Sequence, residues 1–268
     1  MKKNSKLRKT LLILAVLVFI VCGCMLAYRF HMYKVQEEEA RLAAEIAKAQ
    51  ALQDEPVAGE PNALLDDDKA KTLAEIDLNE LVAINPEVLG WIYVSGTDMS
   101  FPLLQHSNNT YYLDRTWDLK SRFYGAIFLE CQCSPTFSDF NTIIYGHNLY
   151  NGGMFHDMRY FKKQDYYDEH PYIYIRTNDD VRRYDIFACY EAPPKSPVFY
   201  LGITKEEHKK EVLNYAATNS LIETGINPSI DDQIISLSTC TGNGSHVKRI
   251  IVQAVLAESI SVDEMIEG

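Results

Sequence analysis

Six cysteines in 268 residues are too few to build a fold of this size from disulfides. Glycine (13) and proline (10) are sparse, and 47% hydrophobic against 24% charged residues is ordinary globular composition, which excludes a collagen-like or disordered chain. Acidic residues are missing from the first 28 positions, where five of the chain's 26 basic residues lie (Lys2, Lys3, Lys6, Arg8, Lys9). The other 240 residues therefore carry 21 basic against 37 acidic groups, a net −16. A body that acidic repels a phosphate backbone, which argues against nucleic-acid binding. No internal repeat is present. The length allows one large domain or two small ones.

Charge is also absent from Leu11 to Ala27, LLILAVLVFIVCGCMLA. At about 1.5 Å per helical residue this run spans roughly 26 Å, just enough for a bilayer's hydrocarbon core. The five basic residues before it outweigh Arg29, His31 and Lys34 after it. That asymmetry keeps residues 1–10 cytoplasmic, makes 11–28 a transmembrane anchor and sends the C-terminus outside. The run is longer than a signal-peptide core and has no clean small-x-small cleavage site, so an uncleaved anchor is expected rather than a leader. Val21-Cys22-Gly23-Cys24 matches a lipoprotein processing site only loosely, since the apolar run continues past it.

Residues 35–55 are rich in Ala, Glu, Gln and Lys, with only Leu42, Ile46 and Ala49 as a thin apolar stripe. This predicts a solvated helical stalk rather than a coiled-coil surface, broken by Pro56, Gly59 and Pro61, so that 29–61 is stalk and linker. A folded domain follows over 62–268. Leu73, Ile76, Leu81 and Ile84 predict an amphipathic helix ended by Asn85-Pro86. Beyond it come the strand-like runs 91–94, 126–129, 142–145, 172–176, 182–190, 233–239 and 249–256, separated by turn residues. The fold class is mainly β: a mostly antiparallel sheet or closed barrel. One long helix interrupts the strands, with Thr204-Lys-Glu-Glu207 as a capping box and Val212, Leu213, Ala216 and Ala217 as its buried face.

Of the cysteines, Cys22 and Cys24 lie in the apolar run, and Cys189 reads as a buried apolar residue. Cys131 and Cys133 are poorly spaced to bond each other. Cys240 follows the strand 234–239 and precedes a glycine-bearing loop, a position open either to a nucleophile or to a structural cysteine. A nucleophile needs a proton carrier and an oxyanion donor. His147 has the same setting as Cys240: it follows Thr142-Ile-Ile-Tyr145 and Gly146 and precedes a loop rich in Asn and Gly. His106, His156, His170, His208 and His246 lie in polar stretches and read as solvated, and His31 lies beside the membrane. Arg249 opens the strand after Cys240, where a hairpin brings it back beside the thiol, although such an arginine is usually only a surface charge. Its neighbour Lys248 should face the other way.

Ser236-Leu-Ser-Thr-Cys240, Arg249-Ile-Ile-Val-Gln-Ala254, and Asn141-Thr-Ile-Ile-Tyr-Gly-His-Asn148 with Gly153-Met-Phe155 resemble the sortase transpeptidases, specifically class B. So do Asn85-Pro-Glu-Val-Leu-Gly-Trp-Ile92, Gly96-Thr97, Phe101-Pro102 and Asn109-Thr-Tyr-Tyr-Leu113, and the match runs in order over residues 72–257. Two positions depart from the pattern. Ser236 stands where Thr is usual, and Glu130-Cys131 where Asp and a non-cysteine are frequent. A zinc site at Cys131 and Cys133 would need two further ligands, and none has suitable spacing.

The resemblance implies a sortase barrel with a helix between late strands. It makes Cys240 the nucleophile that attacks the carbonyl after Thr in a sorting signal, His147 the acid and base, and Arg249 the oxyanion donor. Asn109, Leu113 and Ser238 match positions lining the peptide groove. No metal or cofactor is implied. The partners implied are secreted proteins with a C-terminal sorting signal, an amine of a peptidoglycan precursor or pilin-type protein, and the membrane. A papain-like hydrolase is disfavoured because its cysteine signature is absent and the histidine here precedes the cysteine. Release of the acyl group to water stays open, as does a binding module that keeps the barrel, although a binding module has no need of all three residues.

Overall fold

The computed structural model describes residues 2–47, 63–149, 152–241 and 248–267. The linker breakers Pro56, Gly59 and Pro61, the loop 242–247 after Cys240 and His246 within it lie outside the described residues. The chain divides into two units, residues 1–40 and 41–268. Helix α1, Lys2–Ile46, accounts for the first unit and carries the uncharged run, which is long and apolar enough to cross a membrane.

The second unit begins with the end of α1. There the stalk is not solvated all round: Arg41, Leu42 and Glu45 are exposed, but Ala43 and Ala47 are fully buried among Leu64, Leu73, Leu81 and Trp91, and the Asp77 N–H donates to the Ala47 carbonyl at 3.2 Å. Alanine's small side chain permits that close approach, so the buried face is the alanine row rather than the Leu42 stripe. The single helix expected over 73–84 is two, α2 (Asp68–Ala74) and α3 (Leu78–Ile84). Asp67 and Asp77 cap them, accepting from Lys69 N at 2.8 Å and Asn79 N at 3.1 Å. A second N-cap inside an apolar periodic run starts a new helix and breaks the old one.

The strands are β1 (Val88–Val94), β2 (Ser100–Leu104), β3 (Ile127–Leu129) and β4 (Asn141–Tyr145). After helix α4 (Gln164–Glu169) come β5 (Tyr172–Thr177) and β6 (Asp180–Ala192). Helix α5 (Glu206–Asn219), β7 (Ile234–Cys240), β8 (Arg249–Ser261) and α6 (Val262–Glu267) complete the order. The strands close into a barrel in the order β1-β2-β3-β4-β7-β8-β6-β5. Of these eight pairings, β2–β3 and β4–β7 are parallel and the other six antiparallel.

Helix α5 departs from its expected start. Lys205 is its N-cap and gives no side-chain bond, so the capping box at Thr204 does not form; Glu206 and Glu207 complement the helix dipole instead. Val212 and Ala216 are buried but Ala217 is exposed. The helix packs with Ile234, Ile251 and Val255, so those residues mark the outer face of the sheet. Alternation then turns Leu237 and Val252 to the barrel interior, on one rung with Ile144 and Cys189.

Two histidines read as solvated are buried. His156 opens a 3-10 stretch, His156–Lys162, and packs against Arg159 and the Leu149 carbonyl, while the His170 Nδ1–H donates to the Ser95 carbonyl at 2.9 Å. Their sequence neighbours are polar, but segments distant in the chain cover them. Burial holds the His170 pKa below its ordinary value.

Two expectations follow. Unfolding below pH of about 6.5 lets His170 take up a proton that the native state resists, so its contribution to stability is complete above that pH and is lost as pH falls through the depressed native pKa. The melting temperature should therefore drop between pH 7 and 5, and His170→Gln, which cannot titrate, should flatten that slope; an unchanged slope would refute the assignment. Cys189, fully buried with its thiol pushed up to about 12 by burial, is a core residue. Cys189→Ala should cost on the order of 1–3 kcal/mol in denaturant unfolding and leave turnover near wild type.

Candidate active site

The ends of three neighbouring strands meet here. In the β4–β7 pairing Tyr145 lies opposite Ser238, and in the β7–β8 pairing Cys240 lies opposite Arg249. His147 lies two residues beyond Tyr145, the end of β4, and Cys240 two beyond Ser238 in β7, so both stand at this end of the paired strands. Three hydrogen bonds tie the ends beyond the ladder. Gly146 N donates to the Ser238 carbonyl (3.3 Å), Thr239 Oγ1 to the Gly146 carbonyl (2.7 Å), and Asn148 Nδ2 to the Cys240 carbonyl (2.7 Å). Alternation from Ile234 and Ile251 puts Cys240 and Arg249 on the outer wall, the face that carries α5. Both are half-buried.

His147 is held at both ends. Phe155 N donates to its carbonyl at 2.9 Å, and its ring Nε2 lies 2.8 Å from the Leu113 carbonyl. A carbonyl only accepts, so Nε2 carries the proton and Nδ1 is the nitrogen left to gain and lose one. Gly125 packs against this carbonyl with φ +60°. A Cβ at that glycine would sit 2.2 Å from the Tyr112 oxygen and 2.8 Å from the Leu113 oxygen. Gly146 is similarly required, since a Cβ there would meet Phe155 and Ile127 side-chain atoms at 2.7 and 2.5 Å.

Arg249 Nη1 is buried and has no hydrogen-bond partner among the described residues. Its neighbour Lys248 is exposed and lies 3.8 Å from Glu191 Oε2. Glu191 pairs with Ile250 and Ala192 with Arg249, so the two basic residues follow opposite faces of the sheet.

The three positions matched to a peptide groove fare differently. Ser238 sits on the face of Cys240, two residues away, buried and with its Oγ unpartnered among the described residues. Leu113 is 42% exposed beside His147. Asn109 is committed inward: its Nδ2 donates to Glu130 Oε2 at 2.6 Å and its Oδ1 accepts from Cys131 N at 2.8 Å. Glu130, which the sequence marked only as a departure, is the hub of this corner. Buried to 3% exposure, it also accepts from the Tyr145 hydroxyl (3.0 Å) and the Cys131 thiol (3.3 Å). The Cys131 pKa is raised by burial and by this carboxylate, and Cys133 is pushed up to about 11 by burial. Neither thiol is poised to ionise at neutral pH.

Sequence reasoning named His147 but passed over Asn148 and Arg159. Arg159 Nη2 donates to Asn148 Oδ1 at 3.0 Å. An amide directly after a strand-end histidine was the available signal for Asn148; nothing local marks Arg159.

A family model described as the sortase domain matches residues 92–257. Sortase B of Listeria monocytogenes is 29% identical over 181 residues, covering 67% of this chain and 74% of that protein. Sortase B of Staphylococcus aureus is 29% identical over 175 residues, covering 65% and 72%. Among solved structures, a Staphylococcus aureus sortase B–substrate complex superposes with a TM-score of 0.63 at 28% identity, covering 68% of this chain and 84% of that one. Clostridium perfringens sortase B gives 0.63 and 28%, covering 68% and 100%. With the barrel, the matched domain and these relatives in agreement, the chain belongs to the sortase family and is a cysteine transpeptidase of the class B type.

Proposed function

We propose that this transpeptidase is held in the cell membrane by residues 11–28, with residues 1–10 in the cytoplasm and a catalytic domain, 62–268, outside. There it cuts the C-terminal sorting signal of secreted proteins after Thr. It joins the freed acyl group to an amine of a peptidoglycan precursor or of a pilin-type protein. The observation that supports the reading is that Cys240 and Arg249 face each other at the ends of β7 and β8 while His147 follows the end of β4, which pairs with β7. A substrate complex of the Staphylococcus aureus relative supports a peptide substrate for this chain as well.

The Cys240 sulfur, as thiolate, attacks the Thr carbonyl carbon. Imidazolium His147 passes its Nδ1 proton to the leaving amine as the C–N bond breaks, leaving a thioester. The incoming amine then attacks, gives a proton to the now neutral His147, and expels the thiolate. Arg249 donates to the tetrahedral oxyanion in each half. Its buried Nη1, free of partners among the described residues, is a donor that loses no bond when the oxyanion forms. Leu113 and Ser238 line the groove, and Asn109 braces it through Glu130. No cofactor enters.

The full chain in detergent, given candidate signal peptides and amines, should yield a new amide product by mass spectrometry. Cys240→Ala should abolish it. Arg249→Ala should lower kcat roughly a hundred- to thousandfold, about 2.7–4 kcal/mol, with a smaller rise in KM. Lys248→Ala should stay within a few fold of wild type, because its pairing with Glu191 is exposed and screened. A crippled Lys248 variant beside an active Arg249 variant would move the assignment by one residue, and a free-acid product alone would make the enzyme a hydrolase.

Orientation is tested separately. Protease added to intact cells should digest the 62–268 domain and spare the N-terminal tail; the reverse pattern would invert the topology.

A further inference from the structure

We propose that Asn148, oriented by Arg159, is a positioning residue that fixes the main chain of Cys240 against the His147 strand end; the inference rests on Cys240 as nucleophile and His147 as acid and base. The Asn148 amide bridges the two strands that carry these residues. Its Nδ2 donates to the Cys240 carbonyl at 2.7 Å, and its Oδ1 accepts from Arg159 Nη2 at 3.0 Å. Both neighbours dictate that orientation. A guanidinium only donates and a carbonyl only accepts, so a flipped amide would set donor against donor and acceptor against acceptor.

Arg159 is itself tethered. Its Nε donates to the His156 carbonyl at 3.1 Å, and Nη2 also lies 3.5 Å from the Leu149 carbonyl and against His156 Nδ1. The loop that leaves His147 returns through the Asn148–Met154 bridge and the bond from Phe155 N to the His147 carbonyl. These main-chain ties do not use the Asn148 side chain, so they remain when the amide is removed. What is lost, among the described residues, is the side-chain link from the histidine strand end to the carbonyl of Cys240. Cys240 is the last residue of β7; the ladder to β8 still holds it opposite Arg249, but the pairing to β4 ends at Ser238, so on the β4 side a side chain takes over.

The test is steady-state kinetics on the full chain in detergent, with melting temperatures recorded for every variant. Asn148→Ala should lower kcat about tenfold, the scale of one hydrogen bond, with KM within about twofold. Asn148→Asp should be no better, because a carboxylate keeps Arg159 but opposes the Cys240 carbonyl. Arg159→Lys, which retains a donor, should remain nearer wild type than Arg159→Ala. The double variant Asn148→Ala with Arg159→Ala should be no worse than Asn148→Ala alone, since both act through one bond. Wild-type kcat in Asn148→Ala, recovery in Asn148→Asp, or losses that multiply in the double variant would each overturn the inference. If Cys240→Ala is inactive and Asn148→Ala is not, only this inference falls; an active Cys240→Ala variant removes the reading beneath it.

Discussion

The parallel pairing of β4 with β7 sets the strand ends that carry His147 and Cys240 against each other, because these strands come from distant parts of the chain and no hairpin sets their register. A slip of one residue would turn alternate side chains to the opposite face. The register is pinned by a buried polar row that crosses the barrel wall. The Tyr190 hydroxyl donates to Gln253 Oε1 (2.7 Å), Gln253 Nε2 to Ser236 Oγ (2.9 Å), Ser236 Oγ to Asn141 Oδ1 (2.7 Å), and Asn141 Nδ2 to the Val198 carbonyl (2.8 Å). All four side chains are buried. A slipped register would strand these groups away from water at about 1–3 kcal/mol each, which exceeds what a shifted apolar contact could recover. Ser236 supplies the hydroxyl that this row needs, so Ser in place of the usual Thr preserves the one atom that matters.

Most of the barrel was legible because its strands are short β-branched or aromatic runs between turn residues. β2 escaped because Pro102 removes a ladder donor from a five-residue run; the strand tolerates it because pairing to β3 begins only at Leu103. The two-helix break at Asp77 and the plain start of α5 were hidden for a different reason. Helix periodicity gives the face but not the cap, and caps depend on which polar side chain wins a local competition. The alanine row of α1 and the buried His156 and His170 were illegible because small or polar residues acquire burial only from partners far along the chain.

The site divides in the same way. Cys240, His147 and Arg249 could be singled out because each lies at a strand end, where a side chain escapes the regular sheet. The Glu130 hub, Arg159 and the use of Asn148 could not, since each acts through a contact that only the closed barrel creates. The residues proposed to face a substrate were thus more legible than those that hold them.

The Tyr190–Asn141 row satisfies its buried side chains and meets β7 only at Ser236, the third residue of that strand. Past Ser236, the Ser238 hydroxyl and Arg249 Nη1 are buried without partners among the described residues. Leaving such groups unpaired costs stability, and natural folds accept that cost mainly where function requires it. Other buried atoms, Thr142 Oγ1 and Ser95 Oγ among them, also lack a partner among the described residues, but on the proposed mechanism Arg249 Nη1 has a use for that state. A donor already bound to a neighbour would have to break that bond as the oxyanion forms, whereas an empty donor held in a dry wall gains its partner only in the transition state. Lys248, one residue away, cannot substitute, because its ammonium is exposed and already beside Glu191. The row and the donor share one wall: the Gln253–Ser236 bond ties β8 to β7 four residues from where Arg249 stands opposite Cys240.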